Sequence, residues 1–265
     1  MGRISWSSRE NLKTKQEFVR DQIHMEVKLG LQSYSLRKMS YEKAVEEIAG
    51  LGLRYVEAFS GHLPPEQASV PRSKALYEKY KVKLLSHGVN AMHNNKEELT
   101  ALFDFAKAAG VQVLTADPDP ESFSLLDELV DGYGIAVAIH NHGPTHRYGT
   151  IDSIVKAIQG HNELIGMCLD TGHLARSGED ITEAARKLGS RMHGLHLKDV
   201  DRDNKEVPFG TGRLDFSKML LQLKQNGVLG RIPVILEVES NPDSPIPGIR
   251  ESLGNVRTLL GGFRE

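Results

Sequence analysis

Short apolar runs recur along this chain, each followed by a stretch whose apolar residues fall three and four apart. The runs at 27–34, 55–59, 82–87, 111–115, 135–140, 165–170, 192–197 and 234–238 have the length and the Val, Ile and Leu content of buried strands. The stretches at 41–50, 65–80, 96–109, 121–133, 152–159, 181–188, 216–226 and 249–260 read as amphipathic helices. In 96–109, for example, Leu99, Leu102, Phe103 and Phe105 supply one apolar side. Gly50, Gly52, Gly110 and Gly134 stand where a helix must stop before the next strand. Strand and helix in strict alternation predict a parallel sheet covered by helices. The count of eight selects an α/β fold, a single (β/α)8 TIM barrel. An open doubly wound sheet would carry a glycine-rich phosphate turn after its first strand, and Leu-Gln-Ser-Tyr-Ser-Leu at 31–36 is not one. Residues 1–26 are polar and read as an N-terminal extension with a short helix across 13–22; residues 27–265 form the barrel.

Four of the runs break off in the same way, into His140, Asp170, His196 and Glu237. A polar or charged group that ends a buried run is costly unless it is paired or bound to a cation. In this architecture the C-terminal strand ends form the active-site rim. Strand alternation brings His142, Lys198 and Glu239 to the same face as His140, His196 and Glu237. Two imidazoles and two carboxylates from strands five to eight predict a site for one divalent metal. Mixed nitrogen and oxygen donors suit Mn2+, Co2+, Zn2+ or Fe2+, with Mg2+ also possible, better than Ca2+ or a thiolate-preferring metal. His142 and His173 stand one step above these ligands. Lys198 is an inward lysine whose burial would be costly, and it reads as a substrate-facing cation or acid. Glu57, His87, His142 and Arg213 complete the rim as substrate-binding candidates. Asp199, of opposite parity to Lys198, is expected to hold the following loop.

The bulk numbers narrow the function. Among 265 residues, 39% are hydrophobic and 26% charged, ordinary for a globular chain. A net charge of −2 gives no electrostatic case for a nucleic acid or an anionic membrane surface. No run approaches the roughly 20 apolar residues of a membrane helix, and the opening residues lack the apolar core of a signal peptide. The cytoplasm is therefore the default expectation, and self-association into a homo-oligomer is left open. The single cysteine, Cys168, excludes an internal disulfide and reads as a small core residue.

Asp-Thr-Gly-His at 170–173, His-Leu-Lys-Asp at 196–199, Gly-Thr-Gly-Arg-Leu-Asp at 210–215 and Leu-Glu-Val-Glu at 236–239 together resemble the xylose isomerase-like TIM-barrel superfamily. Within it the chain is similar, over residues 27–262, to the sugar phosphate isomerase/epimerase and inosose dehydratase group. The resemblance implies one divalent metal, often Mn2+, held by His140, Asp170, His196 and Glu237, and a small sugar or polyol as substrate. Epimerases of the group place a glutamate, often in Glu-Asn-His, where this chain has His140-Asn141-His142. Their two metal-bound glutamates exchange a proton on opposite faces of the substrate, and an imidazole held by metal is a poorer proton acceptor. Inosose dehydratases carry a histidine-containing motif there, which tips the expectation toward a lyase. The expected chemistry is abstraction of an α-proton from a keto-sugar or cyclic polyol ketone to give a metal-stabilised enediolate. Glu239 is the first candidate for the base, with His173 and Lys198 as the other catalytic candidates. Loss of a β-oxygen substituent gives dehydration or β-elimination, and return of the proton gives isomerisation or epimerisation. An endonuclease IV-like phosphodiesterase would need further metal ligands and a basic surface. A sugar-binding barrel without catalysis is the remaining alternative.

Overall fold

Each apolar run of the described residues, 26–261, forms a strand in the computed structural model. These are β1 Lys28–Gln32, β2 Tyr55–Ala58, β3 Lys83–Met92, β4 Val113–Pro118, β5 Ala136–His140, β6 Ile165–Asp170, β7 Met192–Leu197 and β8 Pro233–Leu236. Each pairs in parallel with its neighbours in sequence, and β8 closes on β1 with Pro233 opposite Lys28, so the barrel has no free edge. The expected N-terminal extension and its helix at 13–22 lie outside the described residues apart from Glu26.

The helices are α1 Tyr41–Gly50, α2 Val70–Tyr80, α3 Lys96–Ala109, α4 Phe123–Tyr133, α5 Ile151–Ile158, α6 Thr171–Arg176, α7 Ile181–Leu188, α8 Phe216–Gln225 and α9 Ile246–Leu260. Their starts follow from local chemistry. The Asn95 side chain accepts from the N–H groups of Glu97 and Glu98 to open α3, and Gly110 closes it in the left-handed conformation. Thr150 and Ser153 cap each other's backbone N–H at the start of α5. On the inner side of α3, Leu99, Phe103 and Phe105 are buried against the sheet, each contributing about 1.5–3 kcal/mol of transfer free energy. Inside the barrel the small side chains of Val113, Ala136, Ala138 and Cys168 pack together, leaving room above them for polar groups. Among the described residues no helix is long and apolar enough to cross a membrane.

Three departures from the sequence pattern shape the rim. Strand β3 runs on to Met92, past the expected end at His87, and its pairing with β4 shifts register between His87 and Asn90. Helix α6, outside the eight helical stretches of the pattern, forms directly after β6 because one Asp170 carboxylate oxygen accepts the His173 N–H at 2.7 Å and caps it. The loop after β7 contains a short antiparallel pair, Asp199–Val200 with Glu206–Val207. Asp199 holds this loop as expected: its carboxylate accepts the N–H groups of Val200, Gly210 and Gly212 at 2.8, 3.0 and 2.9 Å. A Cβ at position 212 would sit 2.3 Å from Asp199 Oδ1, so the Gly-Thr-Gly segment is a loop anchor.

Candidate metal centre

The structure brings together the residues that end β5 and β6, the next-to-last residue of β7 and the residue that follows β8. His140, Asp170, His196 and Glu237 are all buried, and one donor atom from each lies within 4.8 Å of the others. His140 Nε2 and His196 Nδ1 face each other at 3.2 Å. Asp170 Oδ2 lies 3.6 Å from His140 Nε2, and Glu237 Oε2 lies 3.2 Å from His196 Nδ1.

Backbone and side chains fix each donor. Asp170 divides its oxygens: Oδ1 caps α6, while Oδ2 points at the cluster and, though buried, accepts no hydrogen bond. Asn141 continues the ladder beyond the strand ends, donating from Nδ2 to Asp170 O at 2.9 Å and accepting the Asp170 N–H at 2.8 Å. His196 donates from Nε2 to Glu57 Oε1 at 3.0 Å, which leaves Nδ1 facing the cluster. Glu237 follows β8, its N–H bonded to Leu197 O at 3.1 Å.

The donor set fits a divalent cation. Two imidazole nitrogens turned toward each other repel unless a proton or a cation lies between them. Beside them the buried Asp170 Oδ2 accepts no hydrogen bond, and the Lys198 ammonium at 3.2 Å, shared with Glu237 and Glu239, leaves it room for a second cation. Two nitrogens and two carboxylates match Mn2+, Zn2+, Co2+ and Fe2+.

Lys198 is the cation nearest both carboxylates of the cluster and weighs heavily on their electrostatics. Burial pushes the Asp170 carboxyl up, but Lys198, His173 and His140 hold it well below the usual range. Burial acts on Glu237 in the same sense, and Lys198 and His196 likewise bring its carboxyl down. Burial opposes charge on His196, but Cys168, Glu57 and Glu237 together hold its pKa well above the ordinary value. Lys198 is itself raised, its burial offset by Asp170, Glu237 and Glu239.

Above the cluster opens a cavity of about 320 Å3. It is lined by His140, His142, His173, Glu237 and Glu239 on the side of the cluster, and by Gln32, Tyr34, Phe59, Ser60, Gly88 and Val89. His142 and His173 are half-buried with ring centroids 5.7 Å apart. Burial lowers the pKa of both, His142 to about 3, so both are neutral imidazoles at neutral pH.

Three substrate-binding candidates lie elsewhere. Glu57 is buried beneath the cluster, its carboxylate taken up by Gln32 at 2.8 Å, Thr115 at 2.8 Å, Ser86 and His196. It supports His196 and is not among the residues lining the cavity. His87 faces the helix layer: Nε2 lies 2.8 Å from Leu63 O and its ring packs 5.1 Å from Phe105. A register shift between Val56 and Glu57 sets Ser86, in place of Leu85, opposite Glu57, and this reverses the alternation so that the serine takes the inward place and His87 the outward one. Arg213 is exposed and staples its loop to α6, donating to Asp201 O and Asn204 Oδ1 of the loop at 3.2 and 2.8 Å and to Ala175 O of the helix at 3.0 Å. Lys198, expected to face substrate, is wholly buried behind the carboxylates and does not line the cavity.

The sequence pattern did not single out Gln32, Ser86 and Thr115 as the holders of Glu57, nor Glu206, whose Oε1 accepts the N–H groups of Glu239 and Ser240 at 2.7 and 3.0 Å. Their one signal is a hydrogen-bonding side chain at or near the end of an apolar strand; Glu206 carries none. A second cluster, Asp117, His142 and His146, sits at the rim. There the Tyr148 N–H donates to His146 Nδ1, leaving Nε2–H to donate to Asp117 at 3.2 Å, and Arg147 lies 3.3 Å from the same carboxylate. A guanidinium and a protonated Nε2 make this a hydrogen-bonded cluster, not a second cation site.

A sequence profile described as xylose isomerase-like TIM barrel matches residues 45–259. Inosose dehydratase of Clostridium perfringens is 28% identical over 142 residues, 46% of this chain and 46% of that protein. The rhizopine catabolism protein MocC of Rhizobium meliloti is 25% identical over 159 residues, 52% of this chain and 49% of that protein. The chain thus spans about half the length of the curated relatives it matches. Among solved structures, an uncharacterised protein of Parabacteroides distasonis superposes with a TM-score of 0.67 at 25% identity, over 88% of this chain and 98% of the other. The IOLI protein with a bound zinc atom gives 0.72 at 19% identity, over 89% and 99%. At that identity the likeness is one of fold. With the profile covering most of the barrel and the strand-end cluster in place, the chain belongs to the xylose isomerase-like TIM-barrel family.

Proposed function

We propose that this chain is a divalent-metal-dependent carbon–oxygen lyase acting on an uncharged keto-sugar or cyclic polyol ketone. The observation that carries the reading is the buried His140, Asp170, His196 and Glu237 cluster at the floor of a polar cavity. The names of the inosose dehydratase relatives support the lyase type. A bound divalent ion would supply Lewis-acid charge for the oxyanion of an enediolate.

Glu239, at the cavity wall, accepts the α-proton; with the C–H bond broken, its electron pair enters the enediolate. The resulting carboxylic acid returns the proton to a β-oxygen as the C–O bond breaks, and water or an alcohol leaves. His142 and His173, as neutral imidazoles, hydrogen-bond the ring hydroxyls. Return of the proton to carbon instead gives the isomerase or epimerase reading. His140 stands where that reading would use a second carboxylate, which favours the lyase.

The substrate is read as uncharged because no Arg or Lys is among the described residues lining the cavity. Arg213 is committed to its loop and Lys198 to three carboxylates. A phosphate there would meet Glu237 and Glu239 without a partner.

The test is proton NMR in D2O with inosose and a 3-keto-glucoside, using Mn2+-loaded and EDTA-treated protein, with Mn2+ removed before acquisition. The expected result is metal-dependent loss of a ring hydroxyl or aglycone with a new alkene or enol signal. Deuterium at the α-carbon together with an epimer or aldose, and no elimination, would replace the lyase with the isomerase.

A further inference from the structure

We infer that Lys198 is an internal counter-cation that competes with the divalent metal for shared carboxylates and so sets the affinity of the centre. The inference rests on the metal reading above and extends it. The Lys198 ammonium lies 3.2 Å from Asp170 Oδ2 and 3.2 Å from Glu237 Oε2. These are the same two oxygens that face His140 Nε2 and His196 Nδ1 at 3.6 and 3.2 Å. A third carboxylate oxygen, Glu239 Oε1, lies 2.5 Å from the ammonium at the cavity side.

The place is built for this lysine. Its backbone is clamped by Thr171, whose hydroxyl accepts the Lys198 N–H at 2.9 Å and donates to Lys198 O at 2.6 Å. Its stem lies against Gly172, where a Cβ would come within 2.8 Å of Lys198 Cγ. The glycine of Asp-Thr-Gly-His thus makes room for the stem, and the side chain is fully buried.

The energetic logic has two halves. Without metal, Asp170 and Glu237 would be buried carboxylates short of a cation, which is costly, and the ammonium offsets that cost. With metal, the same ammonium remains within a few ångströms of a second cation. Buried like charges at that range repel with little screening by salt. Lys198 therefore keeps the empty centre folded while it holds metal affinity below what the four ligands alone would give. Glu239 keeps the ammonium engaged in both states.

The experiment compares wild type with Lys198→Met, a substitution of similar length without the charge. Mn2+ is titrated calorimetrically, and melting is followed in EDTA and in excess Mn2+. The variant is expected to bind Mn2+ about tenfold more tightly or better, and to melt lower than wild type in EDTA with the gap closing in Mn2+. Equal or weaker affinity overturns the inference. So does a melting loss of the same size with and without metal, the mark of a lysine that merely fills space. If the variant does not fold in EDTA, it is purified with Mn2+ and metal release into excess chelator is timed. Slower release than wild type is expected, and equal or faster release overturns the proposal. If wild type itself binds no divalent ion, the metal reading falls first and this inference with it, an outcome distinct from an unchanged affinity in the variant.

Discussion

Glu57 and His196 divide one task between them. The imidazole turns Nδ1 to the cluster, and the carboxylate accepts a hydrogen bond from Nε2–H, which fixes the ring plane and leaves Nδ1 as the nitrogen that faces the cluster. Glu57 is in turn immobilised by Gln32, Ser86 and Thr115, so the orientation of one ligand depends on residues from four strands. Glu57→Gln keeps the volume but removes the charge that partners the imidazole. We expect Mn2+ affinity to fall by about 10- to 100-fold, read by calorimetric titration, with the far-ultraviolet spectrum unchanged. An unchanged dissociation constant would remove Glu57 from the metal centre. At this scale the four proposed ligands were legible because each is a polar residue that stops an apolar run. Glu57 carries the same sequence signal, and nothing local says whether such a carboxylate meets a metal or a histidine. His87 misled because side-chain direction depends on register, and an irregularity in a neighbouring strand is not written in its own pattern.

Elements beyond the strands place the remaining chemistry. Strand β8 ends at Leu236, so Glu237 and Glu239 hang on an extended segment whose N–H groups need partners. Ser35 Oγ receives Val238 N–H at 2.9 Å, and Glu206 receives those of Glu239 and Ser240. The short antiparallel pair after β7 thus reaches across to hold the segment that carries the proposed base. Glu206→Ala is expected to lower kcat about tenfold or more through misplacement of Glu239, with KM changed less. Glu206→Gln, which retains a carbonyl acceptor, should recover most of the loss. Equal damage from both variants would point to a need for charge and not for position. The barrel strands and most helices were legible because each carries a complete period of its own. The antiparallel pair and α6 were not: the first is two residues per strand, and the second depends on a cap that is also a candidate ligand.

At the scale of the whole molecule, closing the barrel brings the strand ends of β5, β6 and β7 and the segment after β8 to one point near the axis, far apart in sequence and close in space. The unfolded chain has no such assembly, so any ion held there binds the folded state alone and must stabilise it by mass action. At a free Mn2+ concentration about 100 times the dissociation constant, that linkage amounts to about 2.7 kcal/mol. For a domain of this size it corresponds to a rise in Tm of about 5–10 °C. Differential scanning calorimetry of EDTA-treated protein, with and without Mn2+, reads the shift directly. His140→Ala removes one donor from a buried set while leaving Asp170 paired to Lys198, and should abolish most of the rise. A rise that survives in His140→Ala would place the ion elsewhere on the molecule. The absence of any rise in wild type would mean that Lys198 and His196 alone balance the buried carboxylates.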